Sequence, residues 1–342
     1  MKRILCLLTL ACLLLSGCTG AQQEPEGKKY TATFLDVFDT VTTIVGYAES
    51  KDVFETQARQ VHSQLKEYHQ LFDIYHTYEG VNNLKSVNDA AGVAPVQVDG
   101  RILELLKFCK QAYTLTDGKV NVAMGSVLQL WHEARSDGVD DPVHAQLPQQ
   151  AALQAAAEHC DMDKVILDEK NGTVYLADSQ LRLDVGAVAK GWSAQQVAAD
   201  APEGLLISVG GNVCATGAKD KQDTPWVVGV QDPNGGEQYL HTLYIAKGCV
   251  VTSGDYQRVY FVDGKPYHHI IDPLTLYPAE YWRSVTVVCP DSGLADVLST
   301  ALFLLPLEDG KRLAAACDAQ VLWLDAAGER YYTEGFRDMI RT

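Results

Sequence analysis

The chain has 342 residues, with 44 Asp and Glu against 28 Lys and Arg, giving a formal charge of −16. So acidic a protein repels polyanions, which excludes a general nucleic-acid binder and leaves any anionic ligand to local donors or a metal. With 47% apolar residues, a chain of this length buries a large core, in one domain or two closely packed halves.

The first residues read "MKR" and then "ILCLLTLACLLL", an apolar run short for a bilayer span and long enough for a signal-peptide core. "LSGC" follows, and it resembles the lipobox of bacterial lipoproteins, in which the chain is cut before the cysteine and that cysteine is lipidated. Residues 1–17 are therefore expected to be a signal peptide. Residues 18–29 are expected to be a lipid-bearing Cys18 and a flexible polar tether, which places the mature chain on the outer face of the cell membrane. The other reading is an ordinary signal peptide with an incidental cysteine. Residues 30–342 then form one domain of two packed halves. Cys109, Cys160, Cys214, Cys249, Cys289 and Cys317 are scattered singly. They read as buried small hydrophobes with room for a disulfide or two, and not as a zinc site.

Phe54, Ala58, Val61, Leu65, Tyr68 and Phe72 recur at steps of four and three, the mark of an amphipathic helix. Further helices are predicted over about 100–115, over 124–134, and in "LPQQAALQAAAEHC" with Pro148 at its start. "KVILDEKNGTVYLAD" predicts a hairpin about Asn171-Gly172. "LRLDVG" and "GLLISVGGN" read as strands flanking a helix. "PWVVGVQDP", "YLHTLYIAKGCVVTSG", "QRVYFVDGKPYHHIIDP" and "RSVTVVCP" continue as strands. A helix over "GLADVLSTALFLL" and a closing hairpin complete the chain. Helices dominate the first half and strands the second, so an α+β fold is expected.

Several stretches carry candidate chemistry. Asp296 and Thr300 share a helix face. They read either as hard-oxygen ligands for Mg²⁺ or Ca²⁺, or as a cap or surface carboxylate beside a threonine bonded back to the preceding turn. In "YHHIIDP" a histidine beside an aspartate is a candidate general base or a locally satisfied ring. "SVGGN" lets backbone approach a ligand or simply makes a tight turn, and "TSGD" reads as turn chemistry. In "LDVGAVAKGW", Lys190 near a helix start opposes the helix dipole, a cost that a bound anion reverses.

Taken in order, "LDVGAVAKGW", "VGGN", "TSGDYQR", "HHIIDP" and "ADVLSTALF" resemble the FAD:protein FMN transferases, the ApbE family. "AYTLTDGKVNVAMGSVLQLWHEAR" is similar to that family's helical half. The resemblance covers nearly all of the chain after the tether. It implies an ApbE-like, T-fold-related α+β domain that moves FMN from FAD to a Thr or Ser hydroxyl of an acceptor protein, forming a phosphoester and releasing AMP with Mg²⁺ as cofactor. Implied for Mg²⁺ are Asp296, Thr300 and the main-chain carbonyl of Ala187. His269 is implied as general base, with Asp272 shaping its turn. Implied for FAD are Phe38, Tyr75, Lys119, Val120, Asn121, Asp184, Lys190 and Ile270. The implied acceptors carry a short Ser/Thr flavinylation motif, in membrane redox complexes or extracellular flavoproteins.

Three positions depart from the family pattern. Phe38-Asp39-Thr40 stands where Met-Gly-Thr is usual, Lys119-Val120-Asn121 replaces Ala-Phe-Asp, and Leu276 replaces Gly. Two rival readings use the same site: a Mg²⁺-dependent FAD pyrophosphatase, and a lipid-anchored FAD-binding protein without turnover.

Overall fold

The computed structural model describes residues 27–236 and 238–341; the expected signal peptide and Cys18 lie outside the described residues. A hairpin of β1 (Lys28–Val37) and β2 (Thr40–Ala48) leads into α1 (Lys51–Phe72). Next come α2 (Leu84–Asp89), β3 (Val96–Gln97), α3 (Gly100–Leu115), α4 (Gly125–Asp140) and α5 (Gln150–Ala157). The β4 (Val165–Asp168) and β5 (Thr173–Leu176) hairpin precedes α6 (Ala189–Asp200). Strands β6 (Leu205–Val209), β7 (Asn212–Ala215), β8 (Trp226–Gln231), β9 (Tyr239–Ile245) and β10 (Gly248–Gly254) follow. After β11 (Tyr260–Val262), β12 (Lys265–Tyr267) and β13 (Ser284–Cys289) come α7 (Ser292–Phe303) and α8 (Leu307–Ala316). The described chain closes with β14 (Gln320–Leu324), β15 (Arg330–Tyr332) and α9 (Glu334–Asp338).

Eight strands form one antiparallel sheet in the order β1-β2-β6-β7-β10-β13-β14-β15. On one face, α1 and α6 bury Phe54, Val61, Leu65 and Val197 against Ile44 and Ile207, while α7 and α8 cover Val285, Val287 and Trp323. The β8–β9 hairpin and Phe336 of α9 cover the other face. With both faces covered, every residue of β13 is buried, whereas β8 alternates buried and exposed as a half-covered strand does. A second core gathers α2, α3 and the β3–β5–β4 sheet around Trp192 of α6. The expected α+β class is the observed one.

Some elements differ from the sequence expectation. The first half opens with two strands of the large sheet, so the N-terminal segment belongs to the strand-rich layer, and β1 begins at Lys28, inside the expected tether. "LRLDVG" is not a sheet strand. It makes one parallel bridge, Met124 to Arg182, and a bond from the Asp184 N–H to the Val122 carbonyl. The α4 helix runs on to Asp140. Pro148 precedes the cap Gln149 instead of sitting in the first turn of α5. Ser253 and Gly254 end β10, and the turn begins only at Asp255.

The closest crossing in the helical layer is between α6 and α7. A Cβ at Gly191 would lie 2.3 Å from Asp296 Cβ and 2.5 Å from the Ser292 carbonyl oxygen. Gly191→Ala must push the two helices apart. The expected outcome is a lower urea midpoint, by roughly 1–3 kcal/mol of stability; an unchanged midpoint would mean that the helices separate at no cost.

Candidate active site

A cavity of about 330 Å³ opens where the helical layer meets the ends of the large sheet's central strands. Its wall takes residues from the β1–β2 turn, the segment before α4, α4 itself, the start of α6, the turn after β10, the segment 267–271, and α7. Of the expected site residues within the described chain, all but Phe38 line it. Phe38 and Asp39 occupy the two central positions of the β1–β2 turn with φ of 55° and 50°, the geometry that matches the twist of the flanking strands. The Phe38 N–H donates to His69 Nδ1 at 3.2 Å and its ring meets His69 edge-on. Asp39 and Thr40 face the cavity in its place.

Asp296 is 5% exposed, and its Oδ2 accepts the Gly191 N–H at 2.8 Å. In a regular helical turn that N–H would point at the carbonyl of Ala187, four residues earlier. Among the described residues no donor reaches that carbonyl. The Thr300 hydroxyl is likewise without a partner there; the bond back to the preceding turn comes from Ser299 Oγ, to the Asp296 carbonyl at 2.9 Å. Burial raises the Asp296 carboxyl above its usual range, opposed by the Lys190 charge and the Gly191 N–H. Asn212 Nδ2, buried beside it, also favours the charged carboxylate, at a geometry short of a full hydrogen bond. A carboxylate, a hydroxyl and a carbonyl with uncommitted oxygens are hard donors that fit Mg²⁺. Among the described residues no three His, Cys, Asp or Glu cluster as metal ligands.

His269 Nδ1 faces the Gln257 carbonyl at 3.1 Å. A carbonyl only accepts, so the proton sits on Nδ1 and Nε2 keeps its lone pair. Burial in the wall, then the cations of Arg258 and Lys190 and the neighbouring His268, push the imidazole down to about 3. The residue stays partly exposed to solvent.

The two polar side chains that depart from the family pattern at 119–121 are committed to the protein. Lys119 Nζ lies 3.1 Å from both carboxylate oxygens of Asp272, with both side chains largely covered. Asn121 donates to the Cys160 carbonyl and accepts the Ala123 N–H, both at 2.9 Å. Val120 and Ile270 supply buried apolar wall. Asp272 also accepts the Leu274 N–H at 2.8 Å and so shapes its turn. Leu276 holds a φ of 63° in that turn, the conformation that glycine adopts without strain. Asp184 Oδ1 accepts the Gly186 N–H at 2.8 Å, and Lys190 Nζ donates to the Gly186 carbonyl at 3.1 Å. Tyr75, 52% exposed, stacks on His132 with centroids 5.6 Å apart.

Arg135 and Arg258 also line the cavity, and neither was singled out from sequence. The signal was present, since each ends a motif, "LWHEAR" and "TSGDYQR". Arg135 donates to His132 Nδ1 at 2.9 Å. Burial, and then Arg258, lower its pKa. Neither guanidinium, nor Lys190, pairs with a carboxylate among the described residues. Three cations without an ion-pair partner, in a wall that also holds the carboxylates of Asp39, Asp184 and Asp296, offer donors to an anion.

Comparison with known proteins agrees with this geometry. Residues 38–323 match the ApbE family. The FAD:protein FMN transferase of Treponema pallidum is 35% identical over 273 residues, covering 73% of this chain and 74% of its own. One from Klebsiella pneumoniae is 34% identical over 262 residues, covering 75% and 78%. The crystal structure of the ApbE protein from Thermotoga maritima superposes with a TM-score of 0.79 at 30% identity, over 92% of this chain and 100% of that one. The flavin transferase ApbE from Vibrio cholerae shares the fold, with a TM-score of 0.74 at 21% identity over 91% and 99% of the two chains.

The Lys119–Asp272 pair joins the segment before α4 to the segment that carries His269. Lys119→Met leaves a covered carboxylate unpaired, and a loss of roughly 3–5 kcal/mol is expected in urea unfolding. Adding Asp272→Asn should restore most of it. A single variant as stable as the parent would strip the pair of structural weight.

Proposed function

The chain belongs to the ApbE family, and on that premise we propose that it is an FAD:protein FMN transferase, moving FMN from FAD to a Thr or Ser hydroxyl of an acceptor protein with Mg²⁺ as cofactor. The observation that carries the reading is one cavity holding an oxygen-donor corner, a base with a defined tautomer and three unpaired cations.

The Asp296 carboxylate, Thr300 hydroxyl and Ala187 carbonyl would hold Mg²⁺, which when bound supplies Lewis-acid polarisation of the FAD pyrophosphate. The chain's own residues do the rest. Lys190, Arg135 and Arg258 offset the charge of the phosphates, which draws FAD into an otherwise acidic protein. Tyr75 and the apolar wall of Val120 and Ile270 offer surface for a ring system, while Asp184 keeps one carboxylate oxygen for a polar contact. His269 Nε2 takes the proton of the acceptor hydroxyl as that oxygen bonds to the FMN phosphorus. The pyrophosphate P–O bond breaks, and its electron pair leaves with AMP. Water in place of the hydroxyl would give FMN and AMP, the hydrolytic outcome.

We further propose lipidation at Cys18 and anchoring to the outer face of the cell membrane; the support is the "LSGC" motif after an apolar run. The acceptor class proposed is a membrane or extracellular flavoprotein carrying a short Ser/Thr motif.

Incubation of the protein with FAD, Mg²⁺ and an acceptor peptide bearing that motif should add the mass of one FMN to the hydroxyl. Asp296→Ala should abolish turnover; full activity in that variant would sink the oxygen corner. FMN and AMP with no modified peptide would favour hydrolysis, and no AMP would favour storage.

The base works in its neutral form, so activity falls as pH drops through its pKa. In the free protein Arg258 and Lys190 help to hold that pKa near 3, against an ordinary 6.5. Bound phosphates offset both cations and raise it. The acid limb of kcat, which reports the complex, should therefore lie at higher pH than that of kcat/KM, which reports the free protein. Coincident limbs would detach His269 from the phosphate-binding cations.

A further inference from the structure

The role given to His269 under the proposed function requires one ring nitrogen to stay a donor and the other to keep its lone pair, and the inference here rests on that role. The donor nitrogen is held by a main-chain carbonyl, that of Gln257. No side-chain substitution at 257 removes such a partner, so control of the tautomer lies with whatever fixes the turn that carries it.

That turn leaves β10 at Asp255. The Asp255 N–H donates to the Arg283 carbonyl at 2.9 Å, and Asp255 Oδ2 accepts from Arg283 Nε at 2.8 Å. Arg283 is itself anchored, its N–H donating to the Leu324 carbonyl at 2.8 Å and its guanidinium reaching Asn234 Oδ1 at 3.3 Å. Asp255 Oδ1 is buried without a partner, so the carboxylate depends on the one charged contact. Two residues beyond lies Gln257, and then Arg258, held at a φ of 46°. A non-glycine residue persists in that region only where its surroundings hold it there. Neither Asp255 nor Arg283 is part of the cavity wall, whereas Gln257 and Arg258 both are.

We infer that Asp255 and Arg283 are positioning residues for the transfer: their ion pair locks the Asp255–Arg258 turn, so that the Gln257 carbonyl keeps the proton on His269 Nδ1 and leaves Nε2 as the accepting atom. They act through Gln257 and touch neither substrate nor base. The other groups facing His269 are Arg258 on the same turn, Lys190 on α6 and His268 beside it. The same lock keeps the Arg258 guanidinium at the cavity wall. Partners of this kind typically carry about 10- to 100-fold in activity.

The test compares Asp255→Asn, Arg283→Met and Arg283→Lys in the full chain, with His269→Gln as reference. Histidine-labelled protein is read by ¹⁵N NMR, the His269 signals being those lost in His269→Gln. The parent should show the Nδ1–H tautomer, and Asp255→Asn and Arg283→Met should show a mixture. Their kcat for FMN transfer should fall about 10- to 100-fold, with the KM for FAD within about two-fold. Arg283→Lys, which keeps the charge, should recover part of both readouts. Asp255→Ser serves as the test variant should the other two not fold. A folded Asp255→Asn, Asp255→Ser or Arg283→Met with an unchanged tautomer overturns the inference, whether or not kcat falls. Should His269→Gln itself keep full kcat, the proposed role of His269 fails, and that outcome is separate from any result at Asp255.

Discussion

The hydrogen bond from the Gly191 N–H to Asp296 Oδ2 decides where the chemistry of this cavity can sit. It spans the α6–α7 crossing, where no side chain fits between the two backbones. Its donor is one of the first-turn N–H groups that a helix leaves without an intrahelical partner, and the Ala187 carbonyl, just before the Val188 cap, has no donor among the described residues. It also draws a buried carboxylate to the cavity wall, one turn from an uncommitted Thr300 hydroxyl. The missing side chain at Gly191 thus lets α7, with Asp296 and Thr300, close on the first turn of α6 beside Ala187.

Charge follows the same logic at longer range. Each cation that lines the cavity without a carboxylate partner is a local exception in a chain of net charge −16. A buried Asp296 with a raised pKa is costly until a cation sits beside it, and burial together with the Arg258 charge lowers the pKa of Arg135 until an anion sits beside it. The carboxylate and the guanidinium line one cavity, so an anionic ligand carrying a divalent cation relieves both burial costs. Lys119 shows the contrast: it lines the same cavity, yet its ammonium is already spent on Asp272.

Periodicity made α1, α3, α7 and the strands of the second half legible, because each buries one face or both against a single partner layer. The β1–β2 hairpin was passed over although "KYTATFLDV" and "TVTTIVGYA" are β-rich, and its two-residue turn is Phe-Asp, with no glycine to mark it. "LRLDVG" has the composition of a strand, but its pairing with the segment 122–124 stops at a single bridge. At the site, Asp296, Thr300 and His269 were legible from spacing joined to family resemblance. The commitment of Lys119 to Asp272 was not, since the partners are 153 residues apart and sequence distance says nothing of such a pair. Asn121 escaped for a related reason: an amide that caps its own loop looks, in sequence, like an amide that reads a ligand.

The oxygen corner and the base are also joined through the strand between them. Ser299 on α7 bonds the Asp296 carbonyl and, at 2.8 Å, Ser253 Oγ on β10. Two residues after Ser253 stands Asp255, and two further on the carbonyl that holds His269. On the far side of His269, Asp272 ties the same segment to Lys119. The base is therefore braced from both directions by elements that also carry the rest of the wall. In the proposed transfer, a group that receives a proton from a second macromolecule's hydroxyl gains most from such rigidity, because small misplacements at the reacting atoms cost large factors in rate. In a cavity whose lining comes from many separated segments, that rigidity has to be built from cross-links between segments, and hydrogen bonds and ion pairs that reach between them supply it.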